Sequence, residues 1–216
     1  MTIIDKIKNK LYLDWNPWFR ENIINPYHRR ILKRHNVSIL CNNCVGAVIT
    51  HDLNLQFLSP FVNLWLYPKD FIRFCERIDY YTNCELQFAL PVQKKYNYPV
   101  ATLDDITIYF QHYHSEEEAR DSWERRKKRI NPNNIRCLLI ERDGCTKDDL
   151  VRFSKLTYPT ASLVHHPMPE IKNSHYIRGF EQEKEVGNSI EYKRGQCFGR
   201  RYYDDFNYVG FINDNK

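Results

Sequence analysis

The sequence predicts an α/β fold: a mainly parallel, Rossmann-like sheet with helices on both faces, preceded by a short basic helical arm. Three observations predict it. Apolar, β-branched runs alternate with helical patterns from residue 37 onward, which calls for parallel strands joined by helical crossovers. The runs "VSILC", "IRCLLIE" and "ASLVHH" are short and mostly apolar, as strands covered on both faces are. Finally, 216 residues at 42% hydrophobic and 14% aromatic suffice for one domain with a sizeable core.

The arm, residues 1–36, comes first. Ile3, Ile4, Ile7 and Leu11 share one helical face, with Lys6, Lys8 and Lys10 mostly elsewhere, and Trp15 and Trp18 flank Pro17. Eight Lys/Arg face three acids here, a surplus that equals the net +5 of the whole chain. Residues 37–216, read as a single α/β domain, are therefore charge-balanced. A nucleic-acid partner needs a basic face on the fold itself, so none is expected. An amphipathic basic arm with two tryptophans either packs on its own domain or lies on an anionic membrane surface. No apolar run reaches spanning length and no leader pattern opens the chain, so a cytoplasmic location is expected, with peripheral contact at the inner membrane face through the arm.

After the arm, "VSILC" reads as a strand, "NNC" as a tight turn and "VGAVITHDL" as a helix. "SPFVNLWLY" reads as a second strand. Pro68 opens the helix "PKDFIRFCERIDYY", and "CELQFAL" reads as a third strand. Residues 91–104 are irregular, broken by Pro91 and Pro99. "DITIYFQ" is a strand by propensity. "SEEEARDSWERRKKRI" is a helix with a Ser115/Glu118 capping box, acids in its first turn and bases in its last. "IRCLLIE", an Asp143-Gly144 turn, "TKDDLVRFSKL" with a Thr146/Asp149 box, and "ASLVHH" complete the centre. "SHYIRGF" and "SIEYKRG" suit edge strands, and "RYYDDFNYVGFI" suits a helix.

In parallel sheets, ligands bind beyond the carboxyl ends of strands. Residues 41–46 and 112–115 fall at such ends. Cys44 would sit at a helix N-terminus, where free N–H groups stabilise a thiolate. Asn42 and Asn43 offer amides to an oxyanion or a sugar hydroxyl, Gly46 allows close approach, and His112 or His114 would supply the base. The competing reading makes Asn43 a helix cap and Cys44 a packing residue. Cys41 and Cys44 also form a CxxC, which admits a thiol oxidoreductase. A structural zinc site would need a second ligand pair, and the spacing of the seven cysteines offers none, so no metal is expected. Trp123, Arg126 and Arg129 could present one helix face to an anionic ligand, or simply belong to a solvated helix end.

Residues 30–160 resemble an uncharacterised bacterial family, a domain of unknown function. Its pattern runs S-N-N-C-x-G, then S-P-x-x-x-L and an aromatic D-[FY]-[IV] helix, then Y-P-V, H-Y and W-x-x-R-x-x-R-I-N. "SILCNNCVGAVITHDLNLQFLSPFVNLWLYPKDFIRFC", "YPVATLDDITIYFQHYHSEEEARDSWERRKKRIN" and "IERDGCT" carry the likeness. The resemblance implies an α/β fold and singles out Asn42, Asn43, Cys44, Gly46, Ser59, Pro60, Asp70, Asp104, His112, Tyr113, Trp123, Arg126 and Arg129. Its first Ser is Cys41 here, so the pattern does not require a CxxC. Members are often labelled exopolysaccharide or capsule biosynthesis proteins. A looser likeness, to capsule acetyltransferases with an Asn-Cys pair after the first strand, implies acyl transfer.

The expected function is therefore acyl transfer to or from a sugar in exopolysaccharide assembly. Cys44 and His112 would be catalytic. Asn42, Asn43, Gly46, Ser59, Asp104, Tyr113, His114, Trp123, Arg126 and Arg129 would bind a sugar or nucleotide-sugar substrate, and acyl-CoA is the candidate acyl donor. The alternative is a non-catalytic module that binds a carbohydrate or nucleotide sugar or scaffolds glycosyltransferases at the membrane, and the third is a thiol oxidoreductase acting through Cys41 and Cys44.

Overall fold

The structure, a computed structural model, describes residues 12–88, 96–195 and 198–214. The predicted α/β architecture is present. Strands β1 (Ser38–Cys41), β5 (Ile135–Ile140), β6 (Thr160–Val164) and β7 (Ser174–Tyr176) form a parallel sheet in the order β1-β5-β6-β7. Every residue of β1, β5 and β6 is buried, as expected of strands covered on both faces.

Two apolar clusters lie on the two sides of this sheet. Leu40, Cys137, Leu139 and Val164 face one. Ile39, Cys41, Leu138, Ile140 and Leu163 face the other, the alternation a pleated strand imposes. The first side is covered by α3 (Pro68–Glu76), α5 (Glu116–Lys127), α6 (Lys147–Phe153) and a second sheet. The other side is covered by α2 (Val45–Asp52) and the C-terminal segment with its helix α7 (Tyr208–Asn213).

The second sheet is antiparallel, in the order β2 (Gln87–Phe88), β3 (Val100–Leu103), β4 (Ile106–Tyr109). "DITIYFQ" thus supplies β4, but outside the parallel sheet. β3 lies in the stretch read as irregular; it follows Pro99 directly, and a proline is tolerated at a strand's start. Leu103 pairs with Ile106 across a two-residue turn in which Asp104 is left-handed (φ +55°), a conformation Asp tolerates.

Other local readings needed correction. "SPFVNLWLY" is a buried irregular strap, with one bridge from Trp65 to Tyr109. The helix from Pro68 breaks at Arg77, and α4 (Ile78–Asn83) follows. The break lets the Tyr80 and Tyr81 hydroxyls donate to Asp104 and Asp105, each at 2.6 Å. Of the possible edge strands, "SHYIRGF" supplies β7, whereas "SIEYKRG" gives only a Tyr192–Arg201 bridge. "RYYDDFNYVGFI" forms a 3-10 turn at Tyr202–Asp205 and then α7.

The arm's helix α1 covers residues 12–31, with a π-turn at Arg20–Ile24 and a final stretch Asn25–Ile31. Pro26 lacks an N–H and its ring crowds the carbonyl one turn back; the widened turn just before it relieves both. Arg20 is fully buried. Its Nε donates to Asp52 (2.7 Å), Nη1 to Asp204 (2.7 Å) and Nη2 to the Tyr203 hydroxyl (2.6 Å). Ile3, Ile4, Ile7 and Leu11 lie outside the described residues.

Candidate functional site

Beyond Cys41, the β1–β5 ladder is extended by a side chain. The Asn42 amide accepts a hydrogen bond from the Ile140 N–H (2.9 Å) and donates one to the Ile140 carbonyl (3.1 Å). The Asn42 carbonyl accepts from the Leu66 N–H (3.0 Å), while Trp65 exchanges both backbone hydrogen bonds with Tyr109 (2.9 and 3.0 Å). The strap therefore ties the end of β1 to the end of β4. The His112 N–H donates to the Asn63 carbonyl (3.3 Å) and fixes the next turn against the same strap.

Those ties bring the two predicted strand ends to one cavity of about 540 Å³. Asn43, Cys44 and Val45 line it at the start of α2, and Gln111 and His112 at the end of β4. Trp65 and Tyr98 give it an aromatic wall. Arg142 and Asp143, just past β5, and Asn188–Ile190 close the remainder. Trp65 is stacked on Tyr109 at 4.0 Å with the rings 10° from parallel, so its orientation is held from behind. The Ser189 hydroxyl is buried and has no hydrogen-bond partner among the described residues.

Cys44 occupies the N-cap position of α2 and is half-buried. Burial pushes its thiol up from the ordinary value, and the Arg142 charge opposes that shift without cancelling it. The resting form is the thiol, and a base must take its proton before it can attack. Cys41 differs. It is fully buried, its thiol is directed at the Asn43 side-chain oxygen (3.6 Å), and burial pushes it up to about 12. In a CxxC exchange Cys44 would therefore be the attacking thiol and Cys41 its buried partner.

The family model described as "Domain of unknown function (DUF1919)" matches residues 16–213. The chain belongs to the DUF1919 family. It is also 40% identical, over 191 residues, to an uncharacterised protein of Haemophilus influenzae, covering 88% of this chain and 90% of that one.

Of the residues singled out in the sequence, this DUF1919 fold brings Asn43, Cys44 and His112 together at the cavity. Asn42 is spent on the Ile140 backbone. Gly46 faces inward: a Cβ there would lie 2.5 Å from the Cys41 Cβ, so the glycine serves close packing of α2 on β1. Ser59 accepts from the Phe61 N–H (3.2 Å) in the strap. Asp104 sits in the β3–β4 turn, receiving Tyr80. Tyr113 is buried, donating to the Val62 carbonyl (2.9 Å), and Arg126 donates to the same carbonyl (3.2 Å) and to the Tyr113 hydroxyl. Trp123 is buried in the core beside Phe61 and Phe74. His114 is exposed and uses its N–H on Glu118 (3.0 Å), and Arg129 is exposed past the end of α5.

Sequence reasoning missed Trp65, Tyr98, Gln111, Arg142, Asp143 and Asn188–Ile190. Tyr98 stands in "YPV" and Arg142-Asp143 in "IERDGCT", so both lay within the family-like blocks. Arg142 also sits at a strand's carboxyl end, the place where ligands were expected.

Next to Arg142, the buried Glu141 carboxylate accepts from the His165 N–H (2.9 Å) and meets His165 Nδ1 at 2.5 Å, joining the ends of β5 and β6. Among the described residues, Glu21, His51 and Asp52 are grouped closely enough to hold a metal ion. His51 and Asp52 end α2 beside Glu21 of α1, and Arg20 and Tyr203 already bind Asp52. A second hollow, about 660 Å³, opens at the amino ends of β6 and β7 and contains none of the predicted residues.

Proposed function

We propose that the cavity binds a carbohydrate or nucleotide sugar and that Cys44 and His112 transfer an acyl group to or from it, as part of cytoplasmic exopolysaccharide assembly. One observation carries the reading: a thiol at a helix N-terminus, a histidine and an arginine share a cavity with an aromatic wall. Trp65 and Tyr98 offer flat faces to the C–H side of a sugar ring. Gln111 offers its amide to the hydroxyls together with the remaining polar atoms of Asn43, Asp143 and Asn188, whose other atoms serve the Val45 N–H, Arg142 and Glu191. In the first half-reaction His112 takes the Cys44 proton and the sulfur attacks the carbonyl of an acyl thioester such as acyl-CoA. The donor's thiolate leaves and recovers the proton from His112. In the second, a sugar hydroxyl gives its proton to His112 and attacks the Cys44 thioester. The Cys44 thiolate departs and is reprotonated. Arg142 stabilises the Cys44 thiolate in both steps.

The test incubates the full chain with acyl-CoA and measures intact mass, followed by peptide mapping. An acyl adduct on Cys44 that is discharged by a sugar acceptor, and is absent in Cys44→Ala, supports the reading. A second reading, binding without catalysis, is favoured by the raised Cys44 thiol. It predicts nucleotide-sugar binding that Trp65→Ala abolishes and Cys44→Ala leaves intact, with no adduct at any pH. Absence of both adduct and sugar binding overturns both readings.

A further inference from the structure

Helix α1 is amphipathic in the wrong sense for water. Its buried residues are polar: Asn16, Arg20 and Asn25. Its exposed residues include six large hydrophobics, Leu13, Trp15, Trp18 (52% exposed), Ile23, Tyr27 (61%) and Ile31, interspersed with Asp14, Glu21, Asn22 and Arg30. Phe198 (63% exposed) stands beside the helix, edge-on to Phe19 at 5.8 Å. Trp15 and Trp18 are themselves edge-on at 6.2 Å. Among the described residues, seven of the nine large hydrophobics that stand exposed lie on α1 or beside it at Phe198. Isolated exposed hydrophobics are ordinary, but their concentration on one helix with a polar buried side marks an interaction face. The inversion is built in, because Arg20 and Asn16 reach inward to fixed partners: Arg20 to Asp52, Asp204 and Tyr203, and Asn16 to the Gly199 N–H (2.9 Å).

Charge decides between partners. Arg20 is spent inside on Asp52 and Asp204, and the other seven Lys/Arg of residues 1–36 still outnumber the three acids by four, with Arg30 and Lys33 exposed at the helix end. Two copies of such a face would repel. An anionic surface would attract it, and a bilayer adds an interfacial layer that suits Trp and Tyr. We propose that the outward face of α1, together with Phe198, docks on an anionic membrane surface. The exposed hydrophobics enter the headgroup–acyl boundary while the basic residues neutralise lipid phosphates. No helix among the described residues is long and apolar enough to cross a membrane, and this contact lies flat on one. The cavity and its chemistry are not involved, so this proposal and the functional one fail separately.

The full chain is sedimented with vesicles of phosphatidylcholine alone and of phosphatidylcholine mixed with phosphatidylglycerol, at low and high salt. The expected result is partitioning at least about tenfold stronger on the anionic vesicles, weakened by salt. Trp15→Ser/Trp18→Ser should lose most of it at both salts, and Arg30→Glu/Lys33→Glu should lose the anionic preference. All these positions are exposed, so the fold is kept, and circular dichroism verifies it. Cys44→Ala should bind as the natural chain does. Equal partitioning on both vesicle types, none on either, or unchanged partitioning of the Trp variant overturns the proposal. So does dimerisation in solution that the Trp variant abolishes, which would assign the exposed hydrophobics to a second copy.

Discussion

Replacing Asn42 by alanine should cost stability, and the structure sets the size. Asn42 is fully buried and its amide serves both the N–H and the carbonyl of Ile140, itself fully buried. Alanine leaves both backbone groups without partners, each costing about 1–3 kcal/mol; allowing water to reach one of them, the total is about 2–4 kcal/mol. In a chain of this size each kcal/mol moves Tm by about 2–4 °C, so a fall of roughly 5–15 °C is expected. Thermal and urea melts followed by circular dichroism measure it, with an unchanged urea slope showing that the same surface unfolds. Asn42→Asp should do no better: it keeps an acceptor for the N–H but sets a carboxylate oxygen against the Ile140 carbonyl. A Tm within about 2 °C of the natural chain, where even 1 kcal/mol would show, refutes the reasoning. Normal stability combined with lost ligand binding would instead make Asn42 a ligand contact.

Other expectations follow from the same contacts. Arg20→Met removes the guanidinium that bridges Asp52 and Asp204, leaving Asp52 only the more distant guanidinium of Arg201, its Nε at 4.0 Å, and should cost about 3–5 kcal/mol in a urea melt. Burial alone would raise the Asp52 carboxyl, but Arg20 and Tyr203 hold it below its ordinary value. Its contribution is therefore present above the unfolded carboxyl pKa and lost as pH falls through the folded one, so Arg20→Met should flatten that acid limb. Gly46→Ala pushes a methyl against the Cys41 Cβ and should destabilise by about 1–3 kcal/mol, with Cys41→Gly partly restoring Tm. Arg142→Gln removes the charge that draws the Cys44 thiol down, so its alkylation rate should fall at fixed mildly alkaline pH. An unchanged rate would mean that Arg142 does not reach the thiol.

The parallel sheet was legible because β1, β5 and β6 are short apolar runs between turn signals, and burial on both faces is what makes them so. The helix boxes were legible because capping is local. The Thr146/Asp149 box is complete, while at α5 the Ser115 hydroxyl accepts from the Glu118 N–H as expected but the Glu118 carboxylate turns to the His114 N–H. The strap looked like a strand because its residues are apolar. Its backbone instead divides its hydrogen bonds between Asn42 and Tyr109, which no periodicity reveals. The same non-local ties decide the site. Cys44 was legible from strand, turn and helix. That His112 lies across a cavity from it depends on Trp65 meeting Tyr109, forty-four positions further along the chain. Asn42 and Gly46 read as ligand contacts because polar and small residues at a strand end suit both ligand and packing; only the geometry shows them spent on Ile140 and Cys41.

The strap has a further consequence, for how the site can change over time. Residues 43–45 and 142–143 stand on the sheet's own turns, after β1 and β5. The aromatic wall, the histidine and the 188–190 edge all come from segments outside the regular elements. Substitutions in those segments can reshape the cavity around a fixed thiol while β1, β5 and β6 keep their pairing. Chains with this sheet can therefore diverge in what they accept while sharing one reactive corner, and Trp65 and Tyr98 are where such drift should first register.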